Sequence, residues 1–257
     1  MRALLLCAVL WVSAADGADC SKVVFSANPN YPPFHWVEDG KLVGASIELT
    51  ERIFGELGIH SEAQYLGPWN RVLRAAEQGQ IDMVAALKPT PQRETYLLFT
   101  TARFYVNPMA VFVLSDHRIA YSGWSDLAGH TGLIARGDRF GEGFDEYMHE
   151  KLRILASNDM EDSFANLLRG RGDYVVTSYL AGSAYVASKG LDAAIVALRP
   201  MVNTGAVHHG FVRRSPCMKF ADPVSSRLRG YEADGTTALL IAKYAEKWRR
   251  RAARRGE

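Results

Sequence analysis

Residues 79–93, Gly-Gln-Ile-Asp-Met-Val-Ala-Ala-Leu-Lys-Pro-Thr-Pro-Gln-Arg, constrain this chain more than any other stretch. An amphipathic helical run ends at Gly79, and a short apolar strand is predicted over 81–87. The strand empties into a loop carrying Lys88, Thr90 and Arg93. Pro89 and Pro91 fix φ and remove two donors, so the loop is held rather than floppy. Cations and a hydroxyl at the carboxyl end of a strand stand where an open α/β sheet presents groups to a ligand. A guanidinium there can grip a carboxylate through two parallel charge-assisted hydrogen bonds. The alternative from this segment alone is a surface loop whose charges are solvated.

Around that segment, strand and helix signals alternate, which argues for an α/β architecture. A first strand is predicted over 22–27, followed by a loop over 28–34 with two exposed aromatics, Tyr31 and Phe34. Asp39-Gly40 has the positive-φ chemistry of a hairpin turn. Ile47, Leu49, Ile53, Phe54 and Leu57 recur at helical spacing before Gly58 stops the run. A strand over 62–66 precedes a helix opened by Pro68-Trp69. The chain without its first segment exceeds one typical core, so two lobes or one large domain are expected.

The termini are set apart by composition. Arg2, an apolar core over 3–12 and small residues over 13–18 have the layout of a secretory signal peptide, assigned to 1–18. Cleavage after Ala15 and cleavage after Ala18 both fit, and the body is expected to be exported. Cys7 leaves with that segment, and Cys20 and Cys217 remain as an even pair in an oxidising compartment, either bridged or as two buried thiols. The formal charge of +2 is concentrated at one end: residues 19–246 hold 23 basic against 26 acidic residues. Lys247, Arg249, Arg250, Arg251, Arg254 and Arg255 close the chain and read as a frayed, solvated tail. The tail has no interleaved aromatics, so no nucleic-acid partner is expected. His208 and His209 are adjacent in a predicted strand and point to opposite faces, a poor metal pair. No metal site is assigned, and no Ser or Cys has a nucleophile context.

Tyr31-Pro32-Pro33-Phe34, the 40–44 turn, Trp69, Gly79-Gln80-Ile81-Asp82 and Thr90-Pro91-Gln92-Arg93 occur in an ordered set. Asp126-Leu127-Ala128-Gly129, Gly132, Leu168-Arg169-Gly170-Arg171-Gly172-Asp173, Asp234-Gly235-Thr236 and Lys247-Trp248 continue it. The set resembles the periplasmic solute-binding proteins that serve amino-acid ABC importers, extracellular solute-binding family 3. That resemblance implies a type II two-lobed α/β fold with a ligand cleft and a hinge of two crossing strands. Lobe one would comprise 19–112 plus 206–257 and lobe two 113–205, with hinge strands at 111–114 and 207–212. Cys20 and Cys217 would then lie in one lobe, where a disulfide would not restrain the hinge. It further implies a non-catalytic, monomeric periplasmic protein without a cofactor, delivering a small polar, carboxylate-bearing solute to an inner-membrane permease.

The implied ligand set is Tyr31, Phe34 and Trp69 as an aromatic shelf, Thr90 and Arg93 at the carboxylate, and Lys88, Arg139 and Ser178 around them. Three positions depart from the family pattern. Ala86 and Lys88 replace small and hydroxyl residues, Gly137-Asp138-Arg139 replaces a hydroxyl-bearing turn, and Ser178 stands where an aspartate receives the ligand ammonium. An ammonium buried without a counter-charge costs several kcal/mol. Either Asp138 or a water makes up the loss, or the solute is anionic or dicarboxylate-like. In another reading Asp138 neutralises Arg139 outside the cleft. Two relatives of the family stay as alternatives: a periplasmic dehydratase of prephenate-like acids, with Asp138 or Asp173 as its acid, and a ligand-sensing module of a membrane receptor.

Overall fold

The computed structural model describes residues 19–141 and 143–255, with side chains through residue 251. The expected signal peptide, residues 1–18, lies outside the described residues. Two mixed sheets organise the rest. One runs in the order His60–Ala63, Lys22–Ser26, Met83–Leu87, Ala206–Val212, Leu97–Phe99. The other runs Arg153–Ser157, Thr131–Ala135, Tyr174–Ser178, Met109–Leu114, Ile195–Ala197. In each, three parallel strands are followed by an antiparallel one that has crossed from the other half of the chain.

Parallel neighbours need crossover connections, and helices supply them. Ala45–Glu56 and Trp69–Glu77 serve the first sheet; Phe144–Lys151 and Met160–Leu168 serve the second. Helices on the sheet faces bury the strands on both sides, which is why Met83–Leu87 and Tyr174–Ser178 are apolar or small throughout and wholly buried. Val23, Phe25, Ile53, Phe54 and Phe211 centre one core. Around the second sheet, Val111, Phe144 and Val176 pack on one face and Phe112, Phe164 and Val175 on the other. A small third sheet holds the expected hairpin: His35–Glu38 pairs with Lys41–Val43 across Asp39 (φ 51°) and Gly40 (φ 76°).

Two expectations need correction. The stretches 111–114 and 207–212 do not cross between lobes. Met109–Leu114 pairs along its whole length with Tyr174–Ser178 and Ile195–Ala197, so the first boundary falls near residues 107–108 rather than after 112. The apolar run is unbroken through 112, and the chain turns earlier, at Asn107-Pro108. The crossing segments touch there: Asn107 N–H donates to Gly205 O (2.9 Å) and Val202 N–H to Met109 O (2.8 Å).

The Arg-rich end is likewise not a frayed tail over its described side chains. Thr236–Arg255 is one helix. Leu240, Ile241, Tyr244 and Trp248 form its apolar stripe, with Trp248 5.2 Å from the Trp36 ring. Lys247 pairs with Glu38, and Glu246 holds Arg249 and Arg250 one turn on. Trp248 Nε1 also donates to Ala184 O of the helix Tyr179–Ser188, so this helix touches both halves of the molecule. Cys20 and Cys217 are bonded, with Cα atoms 5.0 Å apart, joining the start of Lys22–Ser26 to the turn Pro216–Phe220.

Candidate functional site

Strands of both sheets aim their carboxyl ends at the space between the lobes, the place where open α/β sheets gather ligand groups. From the first sheet, Met83–Leu87 delivers the loop 88–93. Ala86 sits at φ 46°, a left-handed backbone that a non-glycine residue adopts at a cost. Its N–H is held by His209 Nδ1 at 3.1 Å. Because that nitrogen accepts, the proton of His209 is on Nε2, facing Thr50 Oγ1 at 3.5 Å. Burial pushes His209 down to about 3, so the ring stays neutral. His208 turns the other way, onto Thr100 O.

The loop itself is buried: Lys88, Thr90 and Arg93 are 5%, 6% and 4% exposed, which rules out a solvated surface loop. Thr90 caps the short helix Pro91–Glu94, accepting from Arg93 N–H, with proline at the first helical position. Its hydroxyl oxygen thus caps its own backbone, leaving the hydroxyl proton to donate, and Thr90 is not among the residues that line the central pocket. The cap aims Arg93 inward. Nη1 donates to Lys88 O (2.9 Å), Nη2 to Gly137 O of the opposite lobe (3.1 Å), and the guanidinium lies 5.6 Å from the Trp69 ring. Lys88 Nζ donates to Asn203 Oδ1 at 2.9 Å.

Tyr31 reaches the pocket; Phe34 does not. Phe34 is fully buried behind Tyr31, 5.5 Å from it and edge-on to Phe104. The proline turn that carries the two aromatics sends one to the cleft and one to the core, so Phe34 supports the shelf without forming its surface. His35 stacks on Tyr31 and meets Ser46 Oγ at 2.7 Å; burial holds its ring neutral, down to about 3.

From the second lobe come Gly137, Asp138, Arg139 and Phe140 at the end of Thr131–Ala135, and Ser178 at the end of Tyr174–Ser178. Gly137 needs its positive φ of 90°, and a Cβ there would stand 3.3 Å from Trp69. Asp138 faces the pocket, so it is not a partner that neutralises Arg139 outside it. Arg139 is exposed and donates to the backbone oxygen of Asp138. Burial raises the Asp138 carboxyl to about 7, opposed by the charges of Arg93 and Arg139. Ser178 caps the helix that follows, accepting from Ala181 N–H, and donates to Asn107 Oδ1 at 2.5 Å. Asp173 receives the Thr131 N–H at an exposed strand end and takes no part in the pocket.

The two crossing segments supply residues that the sequence did not single out. Asn107 donates to Tyr31 Oη (2.6 Å) while accepting from Ser178, and Asn203 donates to Phe140 O (2.7 Å) while accepting from Lys88. One buried amide in each crossing thus ties a cleft residue of lobe one to lobe two. The only sequence signal was a lone amide beside an apolar run. Tyr31, Trp69, Lys88, Arg93, Asp138 and Ser178 share a tight central pocket of about 30 Å³. It continues past Tyr31, Trp69 and Asp138 into an outer cavity of about 370 Å³, whose far wall includes Trp248 and Arg251. Among the described residues no group of His, Cys, Asp or Glu is placed to hold a metal ion, and no helix is long and apolar enough to cross a membrane.

Two α/β lobes with paired crossovers and a polar cleft between them define a solute-binding fold. The chain belongs to the bacterial extracellular solute-binding proteins, family 3, whose family model matches residues 23–247. It is 31% identical over 114 residues to the amino-acid-binding protein AabA of Dichelobacter nodosus. That match covers 42% of this chain and 45% of AabA, so the chain matches a little under half of that relative's length. Solved structures share the fold. A variant of ArgBP from T. maritima has a TM-score of 0.72 at 19% identity, covering 87% of this chain and 95% of its own. AbpA of Streptococcus pneumoniae bound to L-arginine has 0.71 at 20%, covering 89% and 96%. A histidine kinase sensor domain has 0.74 at 21%, covering 87% and 95%.

Proposed function

We propose that this protein captures a small, polar, carboxylate-bearing solute, an amino acid or a close relative, and delivers it as a periplasmic monomer to an ABC importer. One observation carries the reading: Arg93 is buried in the interlobe cleft with its guanidinium held by backbone oxygens from both lobes and by the Trp69 face. Backbone carbonyls bring the guanidinium no full counter-charge, the nearby Asp138 carboxyl is itself raised by burial, and a carboxylate entering the cleft supplies a charge-assisted partner. Lys88 adds a second buried cation, and Tyr31 and Trp69 offer flat apolar surface to the rest of the solute. Because the lobes meet through Arg93 and the two asparagines, a solute that contacts both lobes favours the closed arrangement over the open one. AabA is named an amino-acid-binding protein and AbpA binds L-arginine, which supports the choice of class.

Thermal-shift screening against amino acids, dicarboxylates, polyamines and prephenate-like acids tests this. A rise in Tm confined to carboxylate-bearing solutes is expected; a rise with polyamines alone would overturn it. The rival dehydratase would have to use Asp138 as its acid, and turnover of a prephenate-like acid in the same tubes would replace the binding-protein reading.

A further inference from the structure

We infer that Asp138 receives a cationic nitrogen of the solute, which makes the solute a zwitterion rather than a dicarboxylate. The inference rests on the reading of Arg93 as the carboxylate anchor. Asp138 is the one carboxylate among the described residues that line the central pocket. The rest of the wall is cationic or neutral: Lys88, Arg93 and Arg139 carry charge, while His35 and Tyr31 are held neutral by burial.

No donor among the described residues reaches the Asp138 carboxylate. Its interactions are the fields of Arg93 and Arg139 and the opposing field of Asp145, with no hydrogen bond to its oxygens from a described residue. Arg139 donates to its backbone oxygen, and the donors of Arg93 go to Lys88 O and Gly137 O. Half-buried in the pocket wall, the Asp138 carboxylate keeps acceptor capacity that an N–H cation on the solute takes up.

Ser178, where the family pattern has its ammonium-receiving aspartate, cannot fill that role. Its proton goes to Asn107, its oxygen already accepts from Ala181 N–H, and a hydroxyl brings no charge. The negative charge has moved from the end of one lobe-two strand to the end of its neighbour: Tyr174–Ser178 and Thr131–Ala135 are adjacent and parallel. Asp138 lies next to Gly137, whose carbonyl holds Arg93, so one turn presents an acceptor for nitrogen beside the guanidinium that takes the carboxylate. A dicarboxylate would set its second charge against Asp138, and like charges held close in a pocket repel.

Isothermal titration calorimetry tests the pairing with L-arginine, L-glutamine, L-histidine and L-leucine, each beside its 2-hydroxy counterpart, together with succinate, glutarate and putrescine. The wild-type protein is expected to bind at least one amino acid roughly tenfold or more tighter than its hydroxy counterpart and than either dicarboxylate. Asp138→Asn, which keeps the shape, is expected to erase that preference while leaving hydroxy-acid affinity within about threefold. Equal or tighter binding of hydroxy acids or dicarboxylates by the wild type, or a preference that survives in Asp138→Asn, overturns the inference. So does a panel in which nothing binds.

A pH series on the wild type adds a readout that needs no variant. Arg93 stays cationic and Tyr31 and His35 neutral around the pocket, with Lys88 beside them and Arg139 and Asp145 on the lobe-two side. Deprotonation of Asp138 is then expected to strengthen the amino-acid preference as pH rises from about 5 to 8. A preference that does not change with pH counts against Asp138. If Arg93→Ala leaves the affinities of both acid classes unchanged while Asp138→Asn still erases the preference, the anchor reading fails and the assignment of Asp138 stands.

Discussion

The two lobes repeat one plan and use it differently. In each, the strand beside the crossing strand ends at the cleft: Met83–Leu87 in lobe one and Tyr174–Ser178 in lobe two. Past the first, the chain makes a three-residue loop and one helical turn and buries two cations, Lys88 and Arg93, under capping by Thr90 and a kink fixed by His209. Past the second, the chain enters a helix at once, and Ser178 is consumed as its cap. Lobe two instead places its charge one strand over, on the turn holding Asp138 and Arg139. The contrast teaches where a buried charge can be kept. Arg93 is sustained by a loop whose own carbonyl and cap hold it, whereas Asp138 has no such support and its carboxyl is raised.

The largest effect that would sharpen the comparison is pH-dependent. His35 and His209, both on the lobe-one side, are held neutral down to about 3, against 6.5 when exposed. Protons therefore favour the unfolded chain as pH falls below about 6.5, at about 1.4 kcal/mol per histidine for each unit until the folded value is reached. Asp138 acts oppositely: with its folded value at about 7 and its exposed value at 3.8, its burial costs stability as pH rises between them. Hydrogen exchange at pH 7 and pH 5 is expected to show protection lost first around His209 in lobe one. Earlier loss in lobe two would break the contrast.

The disulfide distinguishes the lobes next. Cys20–Cys217 closes a long stretch of chain, with a sequence separation of 197, and both its ends lie in lobe one. Replacing both cysteines with serine is expected to cost about 2–5 kcal/mol in urea denaturation, with solute affinity little changed. An unchanged midpoint would remove the staple from the account. A smaller effect belongs to the crossing. Asn203→Ala removes the amide donor to Phe140 O and one acceptor of Lys88 Nζ, and is expected to cost about 1–3 kcal/mol. Small-angle scattering should show a larger radius of gyration as the lobes separate; a radius equal to the wild type would contradict the stitching role. Smallest of all, Arg139→Ala is expected to change stability by less than about 0.5 kcal/mol, since Arg139 is exposed and, among the described residues, hydrogen-bonds to its neighbour's backbone alone. A tenfold loss of solute affinity would show that lobe two grips harder than its geometry implies.

Much of the fold was legible because its signals are local. Asp39-Gly40 dictates a hairpin, and Ile47, Leu49, Ile53 and Phe54 dictate a helix face. What was not legible depends on partners distant in sequence. Tyr31 and Phe34 have the same chemistry, and only the proline turn decides which one enters the core. Thr90 and Arg93 looked like equal ligand contacts, but the helix at Pro91 takes the Thr90 oxygen as its cap while Arg93 reaches the pocket. Asn107 and Asn203 carry no periodic signal, and their importance arises only where two crossings meet. The basic end read as a tail because its charges were weighed without the stripe from Leu240 to Trp248 that seats the helix.

The central claim is that lobe one anchors the solute through Arg93, and calorimetric titration of the wild type beside Arg93→Ala tests it most directly. With whichever amino acid binds the wild type, the variant is expected to lose roughly a hundredfold or more in affinity, because the carboxylate would lose its buried guanidinium partner. Binding of that amino acid to Arg93→Ala at wild-type affinity would contradict the account.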